Sequence, residues 1–374
     1  MKSSDWKVVG AQSLEMLEGG LGGGFDTRSF AIYNPGELRW YIWYKTMSYM
    51  SSHNEMIIDD MGNVTVNKNL ASQAYGGEIK TIDGSDVWKI NQSFDNPGRF
   101  YYFKNDLEVD VTKGNSGRVP NYNKVQASED GLLTTSTGMP NSIGFYHFAS
   151  NVWKDNRYSF HNHVMARYNG QTYGITFPLI YGTKIISIVR ETDNKVEKPL
   201  GFANLKSIYY PMEELKNISG EDYGSTMYST MYNDNVFVVQ HLSGHYLVYK
   251  INLTNLTAEL VLKAPMVVSY GLPLADIINN YTYAEVDDVG NLYIVEVRRE
   301  DKDSYYSVRR YSTSGGNEVF LKESDLLSHT SIEALKFFNG KLHVAVKYKE
   351  TLPDSKPNDN SSVSVYHMHI ICPK

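Results

Sequence analysis

Hydrophobic and polar residues alternate in short runs along most of the chain, and the runs come in pairs separated by a turn. The first pair is SFAIY and LRWYIWY, with NPGE between the two runs. Alternation with period two on both sides of a turn that needs positive φ is the signature of a β-hairpin. The pattern therefore predicts an all-β chain, in which residues 211–217 and 322–328 are the candidates for short helices.

The same hairpin recurs along the sequence. Seven copies can be counted about 50 residues apart. Their turns are marked by Gly36, Gly84, Gly131, Gly170, Asn235, Gly290 and Gly340. A blade of four antiparallel strands takes about 40 to 50 residues, so we expect residues 1–374 to form one domain, a seven-bladed β-propeller. Six or eight blades remain alternatives, because the third copy is short and the connection between the fourth and fifth copies is long.

The two ends of the chain predict how the ring closes. The seventh copy supplies three strands, at residues 332–338, 341–347 and 363–371, and too few residues follow for a fourth. Residues 5–10 form a β-favouring run without a hairpin partner nearby. Pairing this N-terminal strand with the last blade would close the ring and cover an exposed edge. The Gly-rich residues 19–24 would then lead from the outer edge to the first inner strand.

Composition and charge narrow the function. There are 36 basic and 42 acidic residues, and the basic ones do not cluster, so a nucleic-acid-binding surface is disfavoured. The apolar stretches fall short of the roughly 18 residues of a membrane helix.

The single cysteine, Cys372, excludes an internal disulfide and a cysteine-based zinc site. Residues 1–10 lack the apolar core of a signal peptide, so the chain is either not exported or a mature form behind a start Met; we favour the second.

Candidate ligand-binding residues lie where the long connections collect. In a propeller, the connections from second to third strands and from one blade to the next share one face, and function gathers there because loops can vary. The long connections of this chain, residues 45–53, 191–226, 263–281 and 349–361, belong to these two classes. Side chains at this end are rich in aromatic rings and hydrogen-bond donors, which suit sugars or large aromatic ligands. The candidates are Arg28, Tyr44, Asn91, Arg99, Tyr122, His161, His163, Gln240, His241, Tyr283, Arg298 and Lys347.

The sequence indicates catalytic residues less strongly than it indicates ligand-binding residues. His161 and His163 stand at i and i+2, so both would face one side of a strand and could offer a base or two metal ligands. Ordinary hydrogen bonding is the favoured interpretation. If the protein is an enzyme, one of these histidines would be the base and Tyr122 or Tyr283 the acid.

Other polar pairs are better explained by structure. His367 and His369 repeat the i, i+2 spacing, and we expect them on a sheet face away from the central funnel. The pairs Asp59-Asp60 and Asp287-Asp288 precede Gly-Asn turns, where Asp binds local backbone amides. The sequence has no G-x-S-x-G elbow, no HExxH and no Gly-rich phosphate loop. We therefore predict neither a bound metal nor a cofactor.

The layout resembles that of seven-bladed propeller lipoproteins on the surface of Bacteroidetes-type bacteria, some of which capture ferric siderophores for an outer-membrane transporter. The segments that carry the resemblance are GGLGGGF, the following TRSFAIYNPGELRWYIWY and the late VDDVGNLYIVEV. The resemblance implies that a signal peptide and a lipidated cysteine were removed, and that the protein lies at the cell surface or in the periplasm. A cytoplasmic location stays open. An anionic siderophore would need Arg28, Arg99, Arg298 and Lys347 to converge in the funnel.

These observations favour a non-catalytic, monomeric protein that binds a small molecule such as a ferric siderophore or a glycan. The partner that the resemblance implies is an outer-membrane transporter. A polysaccharide lyase or hydrolase on a propeller scaffold is the alternative, and a protein-interaction scaffold is a further alternative.

Overall fold

The structure is a computed structural model. It describes residues 1–17, 30–34, 37–45, 51–59, 64–70, 78–83, 86–93, 96–104, 107–110, 124–128, 131–135, 143–147, 152–156, 163–176, 185–192, 202–209, 225–242, 244–266, 283–301, 303–351 and 363–374. The predicted helical residues 211–217 and the Gly-rich residues 19–24 lie outside these ranges. Within residues 322–328, the structure has a short 3-10 helix, Glu323–Asp325. In the described part of the chain, no helix is long and apolar enough to cross a membrane.

The described residues form β-strands almost throughout. In chain order the strands are β1 (Trp6–Leu17), β2 (Phe30–Asn34), β3 (Glu37–Lys45), β4 (Ser51–Asp59), β5 (Val64–Leu70), β6 (Glu78–Asp83), β7 (Asp86–Ser93), β8 (Asn96–Lys104), β9 (Leu107–Asp110), β10 (Lys124–Ser128), β11 (Gly131–Thr135), β12 (Ile143–His147), β13 (Val152–Asn156), β14 (His163–Tyr168), β15 (Gln171–Thr176), β16 (Ile185–Glu191), β17 (Phe202–Tyr209), β18 (Ser225–Tyr232), β19 (Asn235–Leu242), β20 (His245–Asn252), β21 (Thr257–Pro265), β22 (Ala284–Val286), β23 (Leu292–Glu300), β24 (Asp303–Tyr311), β25 (Asn317–Leu321), β26 (Ser331–Phe338), β27 (Lys341–Thr351) and β28 (Val363–Pro373).

The strands assemble into a β-propeller. Within the described residues there are seven antiparallel sheets of four strands, and in six of them the strands follow one another in chain order. Six of the seven pairs of neighbouring blades contact each other through their inner strands, and β26 of the last blade meets β2 of the first. The contact between the third and fourth blades is made by β11 and β14. The predicted all-β fold and its repeated blade are thus confirmed.

The last blade is completed from the N-terminus, as the sequence predicts. Its strand order is β1-β28-β27-β26, and β1 pairs with β28 from Trp6 opposite Pro373 to Leu17 opposite Val363. The closing strand is longer than the predicted residues 5–10 because this pairing continues along the whole of β28. Trp6 anchors it, since its ring is only 6% exposed and meets Phe320 edge-on, with centroids 5.6 Å apart.

Local sequence explains the tight turns between strands. Asn169 and Gly170 join β14 to β15, and both take positive φ, of 47° and 68°. Asn339 and Gly340 join β26 to β27 with φ of 48° and 71°. Asn and Gly tolerate this conformation at little cost, so Asn-Gly turns hold the hairpins in register. The predicted turn residues Gly36 and Gly84 lie outside the described residues.

Hydrophobic side chains fill the spaces between blades. One cluster lies between the fourth and fifth blades and includes Ile175 and Val238, both 0% exposed. Similar clusters join the fifth blade to the sixth and the sixth to the seventh. Since the fifth and sixth blades bury both faces against their neighbours, they give the polar residues at their ends a rigid support.

Candidate functional site

Several of the predicted ligand-binding residues come from the same end of the propeller. We call this end, where second strands finish and inner strands begin, the upper face. Gln240 and His241 are near the end of β19, Arg298 is near the end of β23, and Lys347 lies in the second half of β27. His163 starts β14 and Tyr283 directly precedes β22.

The other predicted residues are only partly described. Tyr44 lies near the end of β3, and Asn91 on β7 is paired directly with Arg99 on β8. For Tyr44, Asn91, Arg99 and His163, the structure describes the backbone but not the side chain. Arg28, Tyr122 and His161 lie outside the described residues. The roles of His161, His163 and Tyr122 in the enzyme alternative, and two of the four predicted siderophore cations, Arg28 and Arg99, therefore stay predictions.

Gln240 is the most unusual side chain at the upper face. It is 0% exposed, and neither its amide oxygen Oε1 nor its amide nitrogen Nε2 has a hydrogen-bond partner. Buried polar groups in folded proteins are nearly always paired, and each exception needs an explanation. The packing of the protein therefore leaves the hydrogen-bonding capacity of the Gln240 amide unused.

The neighbouring His241 has the same property. Its ring nitrogen Nε2 is buried without a hydrogen-bond partner, and its ring meets Tyr246 edge-on with centroids 6.4 Å apart. Burial, with a smaller effect from His245, lowers the pKa of His241 and favours the neutral imidazole. A neutral imidazole beside an amide offers both donors and acceptors without a net charge.

A second polar group lies on the seventh blade. Glu333 Oε1 accepts a hydrogen bond from the Ser331 hydroxyl at 2.6 Å and pairs with Lys347 Nζ at 3.0 Å. The Glu333 and Lys347 side chains are 15% and 25% exposed. Next to them, Thr330 is 5% exposed and its hydroxyl has no hydrogen-bond partner. Sequence reasoning found Lys347 but missed Glu333 and Thr330, although the polar residues at the start of the seventh inner strand were a usable signal.

Arg298 is held by acidic neighbours. Its guanidinium group pairs with Glu300 and, at 2.9 Å, with Glu323, and it lies 4.5 Å from the centre of the Tyr305 ring. Tyr283, another predicted site residue, packs against the apolar cluster between the sixth and seventh blades. Both described cations of the predicted funnel, Arg298 and Lys347, thus already have carboxylate partners.

A buried charged group that the sequence did not reveal joins three inner strands. Lys336 on β26 lies 3.2 Å from Glu285 Oε2 on β22, and its Nζ donates to the Tyr228 hydroxyl on β18 at 3.4 Å. The Tyr228 hydroxyl donates to Glu285 Oε1 at 2.9 Å. Since β18 and β26 belong to blades that are not neighbours, these contacts pass along the inner side of β22. We call Tyr228, Tyr232, Glu285 and Lys336 the channel cluster.

Tyr232 closes the channel cluster on one side. Its hydroxyl donates to the carbonyl oxygen of Val286 at 2.7 Å, and its ring meets that of Phe337 edge-on at 6.2 Å. Burial, followed by the charge of Glu285, raises the pKa of both Tyr228 and Tyr232, so both keep their protons and act as donors.

The ion pair within the channel cluster is electrostatically coupled. Burial raises the pKa of Glu285, against the opposing effects of Lys336 and Tyr228. For Lys336, burial alone would lower the pKa, but the attraction of Glu285 and Tyr228 outweighs it and raises this pKa. The cluster binds three blades to one another, and its groups have their partners within the protein.

The histidines of the last blade pack together without forming a metal site. The His367 ring stacks on Tyr348 at 4.6 Å, and His369 meets the same Tyr348 ring edge-on at 5.1 Å. His367 Nε2 lies 3.2 Å from Glu350 Oε2. Among the residues that the structure describes, no three His, Cys, Asp or Glu side chains are placed to hold a metal ion. The two histidines do share one sheet face.

Asp287 has the turn role that its sequence context predicts. Its Oδ1 accepts hydrogen bonds from the backbone amides of Val289, at 3.2 Å, and Asn291, at 2.8 Å. Its Oδ2 accepts from the Asn291 side-chain amide at 2.8 Å. Asp287 thus holds the turn into β23. Asp59 ends β4, and Asp60 lies outside the described residues.

Comparisons with known proteins give fold-level likenesses. No protein-family model matches the sequence, and no curated protein sequence matches it. The solved structures that are similar include TolB from Acinetobacter baumannii (TM-score 0.41, 14% identity, 75% of this chain and 62% of that chain). They also include the β-propeller domain of the Trilobed protease from Pyrococcus furiosus (0.46, 9%, 85% and 89%). A third is oligogalacturonate lyase from Vibrio parahaemolyticus (0.44, 9%, 98% and 98%). The chain therefore spans less than two thirds of the length of TolB.

Proposed function

We propose that the protein is a non-catalytic binding protein whose ligand is an uncharged glycan, bound at the upper face. The observation that carries this proposal is the unpaired, fully buried amide of Gln240 beside the unpaired Nε2 of His241. Leaving a buried polar group unpaired costs about 1 to 3 kcal/mol. Residues that impose such a cost are commonly retained for function, because stability and binding make opposing demands.

The charges at the upper face favour a glycan over an anionic ferric siderophore. An anion would need cations whose charge is not already balanced. Of the predicted cations whose side chains the structure describes, Arg298 is balanced by Glu300 and Glu323, and Lys347 by Glu333. An amide and a neutral imidazole suit hydroxyl groups, which both donate and accept.

The place in the cell and the partner follow from the resemblance given above. A surface or periplasmic glycan-binding protein would deliver its ligand to an outer-membrane transporter. This part of the proposal has its own test, which is fractionation of the cells that make the protein. Recovery in the cytoplasmic fraction would refute the proposed location.

Isothermal titration calorimetry tests the binding function. The panel would contain cellohexaose, mannohexaose and N-acetylchitohexaose, each with its disaccharide, together with ferric enterobactin and ferrichrome. We expect binding of at least one hexasaccharide and none of the anionic ferric enterobactin. Silence across the panel would refute the proposal. Growth of ultraviolet absorbance from unsaturated product on uronic-acid polymers would instead support the lyase alternative.

The variant Gln240→Met separates function from structure. Met has nearly the length of Gln but no amide, so the variant should be more stable by about 1 kcal/mol or more, because a buried unpaired amide is removed. Glycan affinity should fall at the same time. The matched control is Gln171→Met, at the opposite end of its blade, where the Gln171 amide oxygen already accepts from Tyr173 at 3.4 Å. A Gln240→Met variant that loses stability and keeps its affinity would contradict the assignment.

A further inference from the structure

We propose that the ligand is an oligosaccharide long enough to reach from the fifth blade to the seventh, and that the Glu333–Lys347 pair binds hydroxyl groups of one of its sugar residues. This inference rests on the proposed function and adds a second subsite and a minimum ligand length. The inference is based on three groups that lie together at the start of β26. They are the Glu333 carboxylate, of which one oxygen has no partner among the described residues, the Lys347 ammonium group and the buried, unpaired Thr330 hydroxyl.

The Glu333–Lys347 pair has hydrogen-bonding capacity to spare. Both Ser331 and Lys347 contact the same carboxylate oxygen, Oε1, which leaves the second oxygen of Glu333 as an acceptor. An ammonium group has three donors, of which the contact with Glu333 uses one. The pair therefore offers an acceptor and a donor side by side, with no net charge. A sugar hydroxyl, which donates one hydrogen bond and accepts others, is complementary to that arrangement.

Thr330 points independently to a ligand at this position. It precedes Ser331, it is 5% exposed, and its hydroxyl oxygen has no hydrogen-bond partner. Gln240, His241 and Thr330 are three of the residues with buried, unpaired polar atoms, and all three lie at the upper face. Because such atoms are rare in folded proteins, the unpaired Thr330 hydroxyl next to the Glu333–Lys347 pair is evidence for a polar ligand at this position.

The spacing of the two groups sets the size of the ligand. Gln240 and His241 belong to the fifth blade and Glu333 to the seventh, and the sixth blade, with inner strand β22, lies between them. Packed sheets lie about 10 Å apart, so the two groups are on the order of 10 to 20 Å apart. A single sugar ring cannot contact both, whereas a chain of several sugar residues can.

Chain-length dependence of binding tests this inference. Wild-type protein and the Glu333→Gln variant would be titrated by calorimetry with cellohexaose, mannohexaose and N-acetylchitohexaose and with the matching disaccharides. For the hexasaccharide that binds, the variant should be weaker by about tenfold or more, as expected for a hydrogen bond to a charged group. Disaccharide binding should be unchanged, because we expect a disaccharide to bind at Gln240 and His241, from where it does not reach Glu333. Lys347→Met should reproduce the same length-dependent loss.

The control and the outcomes separate this inference from the proposed function. The control is Glu318→Gln, which breaks the exposed ion pair with Arg310 at 3.4 Å, on a strand whose start lies at the opposite end of the propeller. An equal loss for hexa- and disaccharide in Glu333→Gln, or no loss for either, would overturn the subsite and leave the proposed function standing. Failure of every glycan to bind wild-type protein would refute the proposed function itself.

Discussion

Acid should loosen the last blade through His343. This side chain lies on β27, is 5% exposed, and packs against Phe338 with ring centroids 6.0 Å apart. Burial lowers the pKa of His343 from 6.5 to about 4. The hydrogen bond with the Lys341 carbonyl opposes this shift, and the nearby charges of Lys341 and Lys7 add to it. The folded protein therefore resists a protonation that the unfolded chain accepts readily.

The size of the effect follows from the two pKa values. Above pH 6.5 the imidazole is neutral in both states, so the full stability is present. As the pH falls from 6.5 towards 4, the unfolded state binds a proton that the folded state does not, and stability is lost. At pH 5 the loss is about 2 kcal/mol, and below pH 4 it levels off at about 3 kcal/mol.

The assay compares unfolding in urea at pH 7 and pH 5 for wild-type protein and His343→Phe. Phe keeps a ring next to Phe338 but cannot be protonated, so the variant should lose about 2 kcal/mol less than wild type over this interval. The other titrating groups are the same in both proteins, so their contributions to the pH dependence of stability cancel when the two proteins are compared. His329→Gln is the matched control, because it removes an imidazole whose side chain is 73% exposed. Equal losses in wild type and His343→Phe would refute the reasoning.

Two further predictions concern the contacts that hold the ring together. Trp6→Ala should lower the free energy of unfolding by about 3 to 5 kcal/mol, since it empties the site against Phe320 that anchors the closing strand. Urea unfolding measures this with the exposed Lys7→Ala as control, and equal stability of the two variants would mean that the Trp6 ring does not anchor β1. Lys336→Met should cost about 3 to 5 kcal/mol, because it leaves Glu285 buried without its counter-ion. Adding Glu285→Gln should recover most of that loss, and a double variant that is less stable than Lys336→Met would contradict the pairing.

Much of the fold could be predicted from the sequence because blades are local structures. The Asn-Gly turn at Asn169 and Gly170 and the alternation on both sides of it define a hairpin within a few residues. Closure by the N-terminal strand was predictable from an incomplete last repeat. The length of the closing strand could not be predicted, because it depends on how many residues of β1 pair with residues 363–373, and this register is visible only in the folded structure.

The polar groups were harder to predict because they depend on contacts between distant strands. Glu285 and Lys336 each lie in an ordinary strand pattern, and their pairing requires two inner strands to meet in the ring. Gln240 was predictable as a residue of the upper face from its place at a strand end. That its amide is buried and unpaired depends on packing against the neighbouring blade, which no local pattern encodes.

The pairing of β1 with β28 also governs how the molecule is assembled. The ribosome makes β1 before every other strand of the propeller and β28 after them, so the longest-range contact of the fold cannot form until all the other blades have been synthesised. Hairpins such as β14–β15 and β19–β20 need only local contacts and can form early. During that interval β1 and the edge of the unfinished last blade remain unpaired, and such edges readily bind other chains. The β1–β28 pairing holds the finished ring closed, but its two strands are thus the part of the growing chain that is most prone to misassembly.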